Sequence, residues 1–189
     1  MSTHIIKLRN FSPRRNFPKA SRNKRGESNF VLSFQKVYLD SRKGLGAREF
    51  PLSGYGIADL VWLSYGNLEK HGRASAFSYE KVLQRITKKN LAAFEFKLSD
   101  WKRAFMQAYR YSYFADQSIV VMPIENIKPA KTNLMQFQRN QIGLWAFDVS
   151  KEKIVKIFTP EYSSARNLLA KQKAIDILLR QFYFSRRAK

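Results

Sequence analysis

The chain has 189 residues, with 35 Lys and Arg against 14 Asp and Glu, for a formal net charge of +21. It has no cysteine, which excludes disulfides and Cys-based zinc sites and points to a reducing compartment, expected to be the cytoplasm or a bacterial nucleoid. No apolar run is long enough to span a bilayer, and the opening residues lack an apolar signal core, so no membrane association is expected. A length of 189 residues with 44% hydrophobic residues suits one domain with an ordinary core.

Residues 1–26 hold eight basic residues (Lys7, Arg9, Arg14, Arg15, Lys19, Arg22, Lys24, Arg25) and no acidic one before them ends. Two prolines sit among them and there is little to bury, so a flexible basic arm is expected, followed by a single domain over 27–189. The field of such a chain attracts polyanions, and nucleic acid is the leading partner, ahead of an anionic membrane surface or a ribosomal neighbour.

In chain order, Ser28 is read as the cap of a helix over about 29–43, with Phe30, Val31, Phe34, Val37 and Tyr38 on one face and Gly44 and Gly46 ending it. A short extended segment at 48–52 and a turn at Gly54 and Gly56 follow. Residues 57–63 read as a buried strand. The polar stretch 64–90 holds a short helix over 79–87, and 91–98 is a second strand. Ser99 is read as capping a helix from 100 to about 114, and 118–122 is a buried strand stopped by Pro123. A weaker helix is expected over 126–140. A hairpin joins 142–148 to 153–158, and a last helix runs from 164 to about 184 with Leu168, Gln172, Ile175 and Leu179 along its apolar stripe. The expected fold is α/β of the α+β kind, a mixed central sheet flanked by helices.

The strand at 91–98 alternates. Phe94, Phe96 and Leu98 share one face, while Ala93, Glu95 and Lys97 share the other. In the preceding strand Asp59 stands among Ile57, Leu60, Val61, Trp62 and Leu63. Burying an unpartnered carboxylate costs several kcal/mol, on the order of the desolvation penalty of an ion, so a cation is expected beside it. Two carboxylates on adjacent strands suit Mg²⁺, held by oxygen ligands and waters, with the Phe96 carbonyl as a further ligand. Lys97 would then stabilise charge or orient water.

Asp59 followed by Glu95-Phe96-Lys97 resembles the signature of the PD-(D/E)XK nuclease superfamily, with Ala58 where a proline is usual. Gln107-Ala108-Tyr109-Arg110-Tyr111 is similar to the Gln-hydrophobic-x-x-Tyr motif of its RecB-like members. The resemblance covers about 27–158. It implies a restriction-endonuclease-like fold and a Mg²⁺-dependent DNA nuclease, with Mn²⁺ as a substitute. The reaction expected is endonucleolytic, with Asp59, Glu95, Lys97 and Gln107 catalytic. The implied metal ligands are Asp59, Glu95, Phe96 and Glu27, with Glu49 competing for the last place. Lys88, Lys89, Lys102, Arg103, Arg110 and Tyr111 are the candidate nucleic-acid contacts. DNA is the expected partner, with RNA left open, and one site cuts one strand, so double-strand cutting would call for a homodimer or a partner protein. The alternative is a non-catalytic nucleic-acid-binding module on the same fold. His4 and His71 are read as exposed residues without a role, and Trp62, Trp101 and Trp145 as core.

Overall fold

The structure, a computed structural model, describes residues 9–10, 22–39, 42, 44–64, 90–161 and 163–187. His4, His71, Lys88, Lys89, most of the basic arm and the expected helix at 79–87 lie outside the described residues.

Seven strands form one mixed sheet in sequence order: β1 Arg9–Asn10, β2 Gly44–Leu52, β3 Gly56–Ser64, β4 Leu91–Phe96, β5 Gln117–Pro123, β6 Ile142–Asp148 and β7 Lys153–Phe158. β3 runs antiparallel to both β2 and β4, while β1 is parallel to β2 and β4, β5 and β6 are parallel to one another. Parallel neighbours need crossovers. Helix α2, Trp101–Tyr111, makes the first crossover; a 3₁₀ turn Ile124–Asn126 with the short helices α3 Lys128–Thr132 and α4 Leu134–Asn140 makes the second. β7 returns antiparallel to β6 and closes the sheet as a hairpin. This is the expected α+β architecture, a mixed sheet flanked by helices.

Helix α1, Arg22–Leu39, covers one face of the sheet. Its Phe30, Val31, Phe34 and Tyr38 pack on Leu60, Trp62, Phe94, Phe96, Trp145 and Phe147. Phe34 is completely buried and meets Phe96 edge-on at 5.0 Å between ring centroids, the arrangement that ring quadrupoles favour. The other face is covered by α2 and by the final helix α5, Leu168–Arg187. Every residue of β4 and β5 is buried, as expected for strands covered on both sides. Among the described residues, no helix is long and apolar enough to cross a membrane.

Several local expectations are corrected. Helix α1 starts at Arg22, so Ser28 lies inside it and residues 22–26 are helical rather than part of an extended arm. Arg9–Asn10 of that arm pairs in parallel with Ala47 and Arg48. Gly44 does not stop a helix but opens β2. A Cβ there would lie 2.5 Å from the Leu63 carbonyl oxygen and from the Trp62 ring, so only glycine allows the strands to approach. Gly54 and Gly56 do form the turn, with φ of 87° and 96°. Asp100, not Ser99, caps α2, its carboxylate accepting from the Arg103 N–H at 3.1 Å. The 126–140 helix is divided at Asn133. Asn167 caps α5 by accepting from the Ala170 N–H at 3.0 Å, which moves the start from 164 to 168. The buried stripe of α5 is Ala170, Ala174, Ile175, Leu178 and Leu179, whereas Leu168 and Gln172 are exposed.

Candidate active site

Asp59 on β3 and Glu95 on β4 are brought together by the antiparallel register that sets Leu60 opposite Phe94 and Val61 opposite Ala93. Glu95 is fully buried. Lys97 follows just past the end of β4, its side chain only 15% exposed, and its ammonium lies 2.8 Å from Glu95 Oε1. The same nitrogen donates to the Phe96 carbonyl oxygen at 3.0 Å and lies 3.6 Å from Glu27 Oε1. Asp59 Oδ2 accepts from the Phe96 N–H at 2.8 Å. Asp59, Glu95, Lys97, Phe96 and Glu27 are thus brought together in one cluster.

The third carboxylate is Glu27 from α1. Its charge bears on both Asp59 and Glu95. Glu49 is exposed and does not figure in the field on either. It stands across from Asp59 with φ of +48°, in the left-handed region that glycine favours, and the β2–β3 ladder skips that position between Arg48–Leu60 and Phe50–Ala58.

Among the described residues, the one ammonium of Lys97 stands against the carboxylates of Asp59, Glu95 and Glu27. Asp59 is partly buried as a residue, but its carboxyl is poorly hydrated. Burial, then the neighbouring Glu95, push its pKa from 3.8 to about 7, against the pull of Lys97 and the Phe96 N–H. Burial also raises Glu95 above the ordinary carboxylate range, with Lys97 opposing. For Lys97 burial acts to lower the pKa, but the charges of Glu95 and Asp59 outweigh it and hold the ammonium protonated.

Tyr111, from the last turn of α2, closes the cluster from the helix side. Its hydroxyl lies 2.6 Å from the Ile57 carbonyl oxygen and 2.7 Å from Glu95 Oε2. A phenol carries one hydrogen, and a carbonyl has none to give. Its one hydrogen is therefore shared between the two acceptors it reaches, the Ile57 carbonyl oxygen and the Glu95 carboxylate. Burial and Glu95 push the phenol itself upward, out of reach of physiological titration. Gln107, one turn earlier, hydrogen-bonds Tyr111, and its Oε1 is buried without a partner among the described residues.

Tyr111 is 1% exposed, so it positions Glu95 and does not touch a strand; this corrects its reading as a nucleic-acid contact. Lys102, Arg103 and Arg110 are exposed on α2, with the Lys102 ammonium 6.0 Å from the centre of the Trp101 ring. Trp101 is partly buried against the α2 core, and Trp62 and Trp145 are core. A second buried carboxylate escaped the sequence reading. Asp116, just before β5, accepts from the Leu91 N–H at 2.8 Å, from the Ala165 N–H at 3.3 Å and from Lys171 Nζ at 2.7 Å. It ties the start of β4 to α5. An acidic residue directly before the apolar run 118–122 was the available signal.

The donors around Asp59 are all oxygens, as a hard divalent cation requires. Three carboxylates face one ammonium, and that ammonium bridges Glu95 Oε1 and the Phe96 carbonyl oxygen, two of the ligands a cation would use. Among the described residues no three His, Cys, Asp or Glu side chains form a metal cage. A divalent cation here would rest on Asp59, Glu95 and the Phe96 carbonyl oxygen with waters completing its shell, and Lys97 would have to give up its contacts to the last two.

No family model matches the chain, and no curated protein matches it. Among solved structures it is similar to a protein of unknown function from Silicibacter pomeroyi, SPO1766, with a TM-score of 0.48 and 14% identity, covering 90% of this chain and 91% of that one.

Proposed function

We propose that this protein is a Mg²⁺-dependent DNA endonuclease, with Mn²⁺ as a substitute, that hydrolyses phosphodiester bonds. One observation carries the reading. Two poorly hydrated carboxylates from neighbouring strands, Asp59 and Glu95, lie in the field of the Lys97 ammonium, and burial, then the charge of Glu95, pushes Asp59 to about pKa 7. A structural ion pair needs no second carboxylate forced so high. Perturbed, partly hidden groups of this kind cluster at functional sites.

Asp59, Glu95 and the Phe96 carbonyl would hold the ion, with Glu27 at the edge. When bound, the ion supplies Lewis acidity to the phosphate and to the attacking water. The rest falls to the chain itself. Lys97 stays protonated and offers its ammonium to charge developing on the phosphate. The Phe96 N–H fixes one oxygen of Asp59. Tyr111 holds the Glu95 carboxylate beside the Ile57 backbone. The exposed Lys102, Arg103 and Arg110 would meet phosphates, which carry position rather than sequence. A site of this kind cuts one strand; double-strand breaks would need a homodimer or a partner.

A binding module without cleavage is the second reading. It is favoured by the charge of +21 and by Lys97 already satisfying both Glu95 and the Phe96 carbonyl. Plasmid, linear duplex, single-stranded DNA and RNA incubated with Mg²⁺ or Mn²⁺, against EDTA, separate the two. Metal-dependent nicking supports the nuclease. Salt-sensitive binding to every substrate with cleavage of none supports the module.

A further inference from the structure

A cationic group outside the cluster is built into place by aromatic rings. The Arg166 guanidinium carbon lies 4.6 Å from the centre of the Tyr109 ring and 5.6 Å from that of Tyr113. Tyr113 in turn packs at 6.0 Å from Tyr55. The backbone around Arg166 is tied down as well. Its N–H donates to the Ser112 carbonyl at 3.2 Å, the Asn167 N–H donates to Tyr113 at 2.8 Å, and the Asn167 side chain donates to the Tyr55 hydroxyl at 3.2 Å.

Arg166 is exposed, and no carboxylate of the described residues pairs with it. A guanidinium stacked on rings keeps its N–H groups at its rim, free to make a planar fork, and the rings have already removed much of its rotamer freedom. Such a fork matches a phosphate. The location also fits. Tyr109 and Tyr113, with ring centres 6.2 Å apart, share the face of this helical turn that looks away from Tyr111, so the guanidinium lies beside the cluster rather than in it, and Tyr55, packed on Tyr113, precedes Asp59 by four residues, about 13 Å at ~3.3 Å per residue.

We propose that Arg166, held by Tyr109 and Tyr113, is a phosphate anchor that grips the nucleic-acid strand a few nucleotides from the Asp59–Glu95 cluster. The identity of the polyanion rests on the nuclease reading; the anchor itself is tested by binding, separately from cleavage. A fluorescent single-stranded DNA oligonucleotide is titrated in EDTA at several KCl concentrations, with thermal melts of each variant.

Arg166→Ala is expected to bind about tenfold more weakly at 0.1 M KCl, with the log–log salt slope smaller by about 0.7, the value for one lost phosphate contact on a single strand. Arg166→Lys should keep the slope and lose several-fold in affinity, because charge remains and the fork does not. Arg180→Ala, which removes an exposed arginine paired to Asp176, should bind as the wild type. Unchanged affinity and slope in Arg166→Ala overturns the anchor. If that variant melts early, Arg166→Lys decides alone, and wild-type affinity in it overturns the anchor. Loss of cleavage in Asp59→Ala with normal Arg166→Ala binding would leave the nuclease standing without the anchor. Weaker binding by Arg166→Ala with no cleavage by any form would do the reverse.

Discussion

Replacing Asp59 with asparagine should stabilise the metal-free protein at alkaline pH and do little at acid pH. The folded-state pKa of Asp59 is raised from 3.8 to about 7. Below about pH 4 the carboxyl is protonated in both folded and unfolded chains and costs nothing. Between those values the folded chain holds more protons than the unfolded one, so stability falls as pH rises, and above about pH 7 the full cost of a poorly hydrated carboxylate is present. At ~1.4 kcal/mol per pKa unit, the ceiling is on the order of 4 kcal/mol. Water penetration and relaxation reduce it, and about 2 kcal/mol is expected to survive. Asparagine keeps the acceptor for the Phe96 N–H, so that hydrogen bond is not lost. For a domain of this size the gain corresponds to a rise in Tm of roughly 4–8 °C. Circular-dichroism melts of wild type and Asp59→Asn in EDTA, at pH 4.5 and pH 8, isolate the effect, since other titrating groups are common to both. A variant no more stable than wild type at pH 8, or a gain equal at both pH values, would refute the reasoning.

Tyr111→Phe removes the hydroxyl that pins Glu95 to Ile57; it should cost about 1–2 kcal/mol in urea unfolding and slow cleavage at least tenfold, with DNA affinity in EDTA unchanged. Phe34→Ala empties the centre of the aromatic cluster beneath α1 and should cost roughly 3–5 kcal/mol, read as a lower urea midpoint. Asp116→Ala leaves Lys171 and the Leu91 N–H without their acceptor and should cost about 3–5 kcal/mol, read as a lower melting temperature.

The parts of the fold legible in the sequence are those governed by short-range pattern. The hairpin at 142–148 and 153–158 was read to the residue, because a polar turn between two apolar runs leaves no other solution. Gly54 and Gly56 were read correctly because their positive φ is a local demand. Gly44 was misread because its reason is the Trp62 ring and the Leu63 carbonyl across the ladder, far along the chain. The stripe of α5 was misread because its burial is carried largely by Ala170 and Ala174, small residues that permit close approach and that a count of large apolar side chains overlooks. Leu168 and Leu169 sit exposed at its first turn.

At the site, Asp59 stood out because a carboxylate in an apolar strand demands a partner, and the alternation of β4 placed Glu95 and Lys97 together. The role of Tyr111 was hidden because its hydroxyl reaches Glu95 and Ile57 through tertiary packing that helical spacing alone does not specify. Asp116 obeys the same rule that singled out Asp59, applied at the mouth of a strand rather than inside one.

Cleavage of supercoiled plasmid by wild type, Asp59→Ala and Lys97→Ala, with Mg²⁺ and with EDTA, tests the cutting site most directly. The expected result is nicking by wild type only, abolished by EDTA, with all three proteins binding DNA to a similar extent in EDTA. Equal nicking by all three proteins, or nicking that survives EDTA, would contradict a metal-dependent site built on Asp59, Glu95 and Lys97.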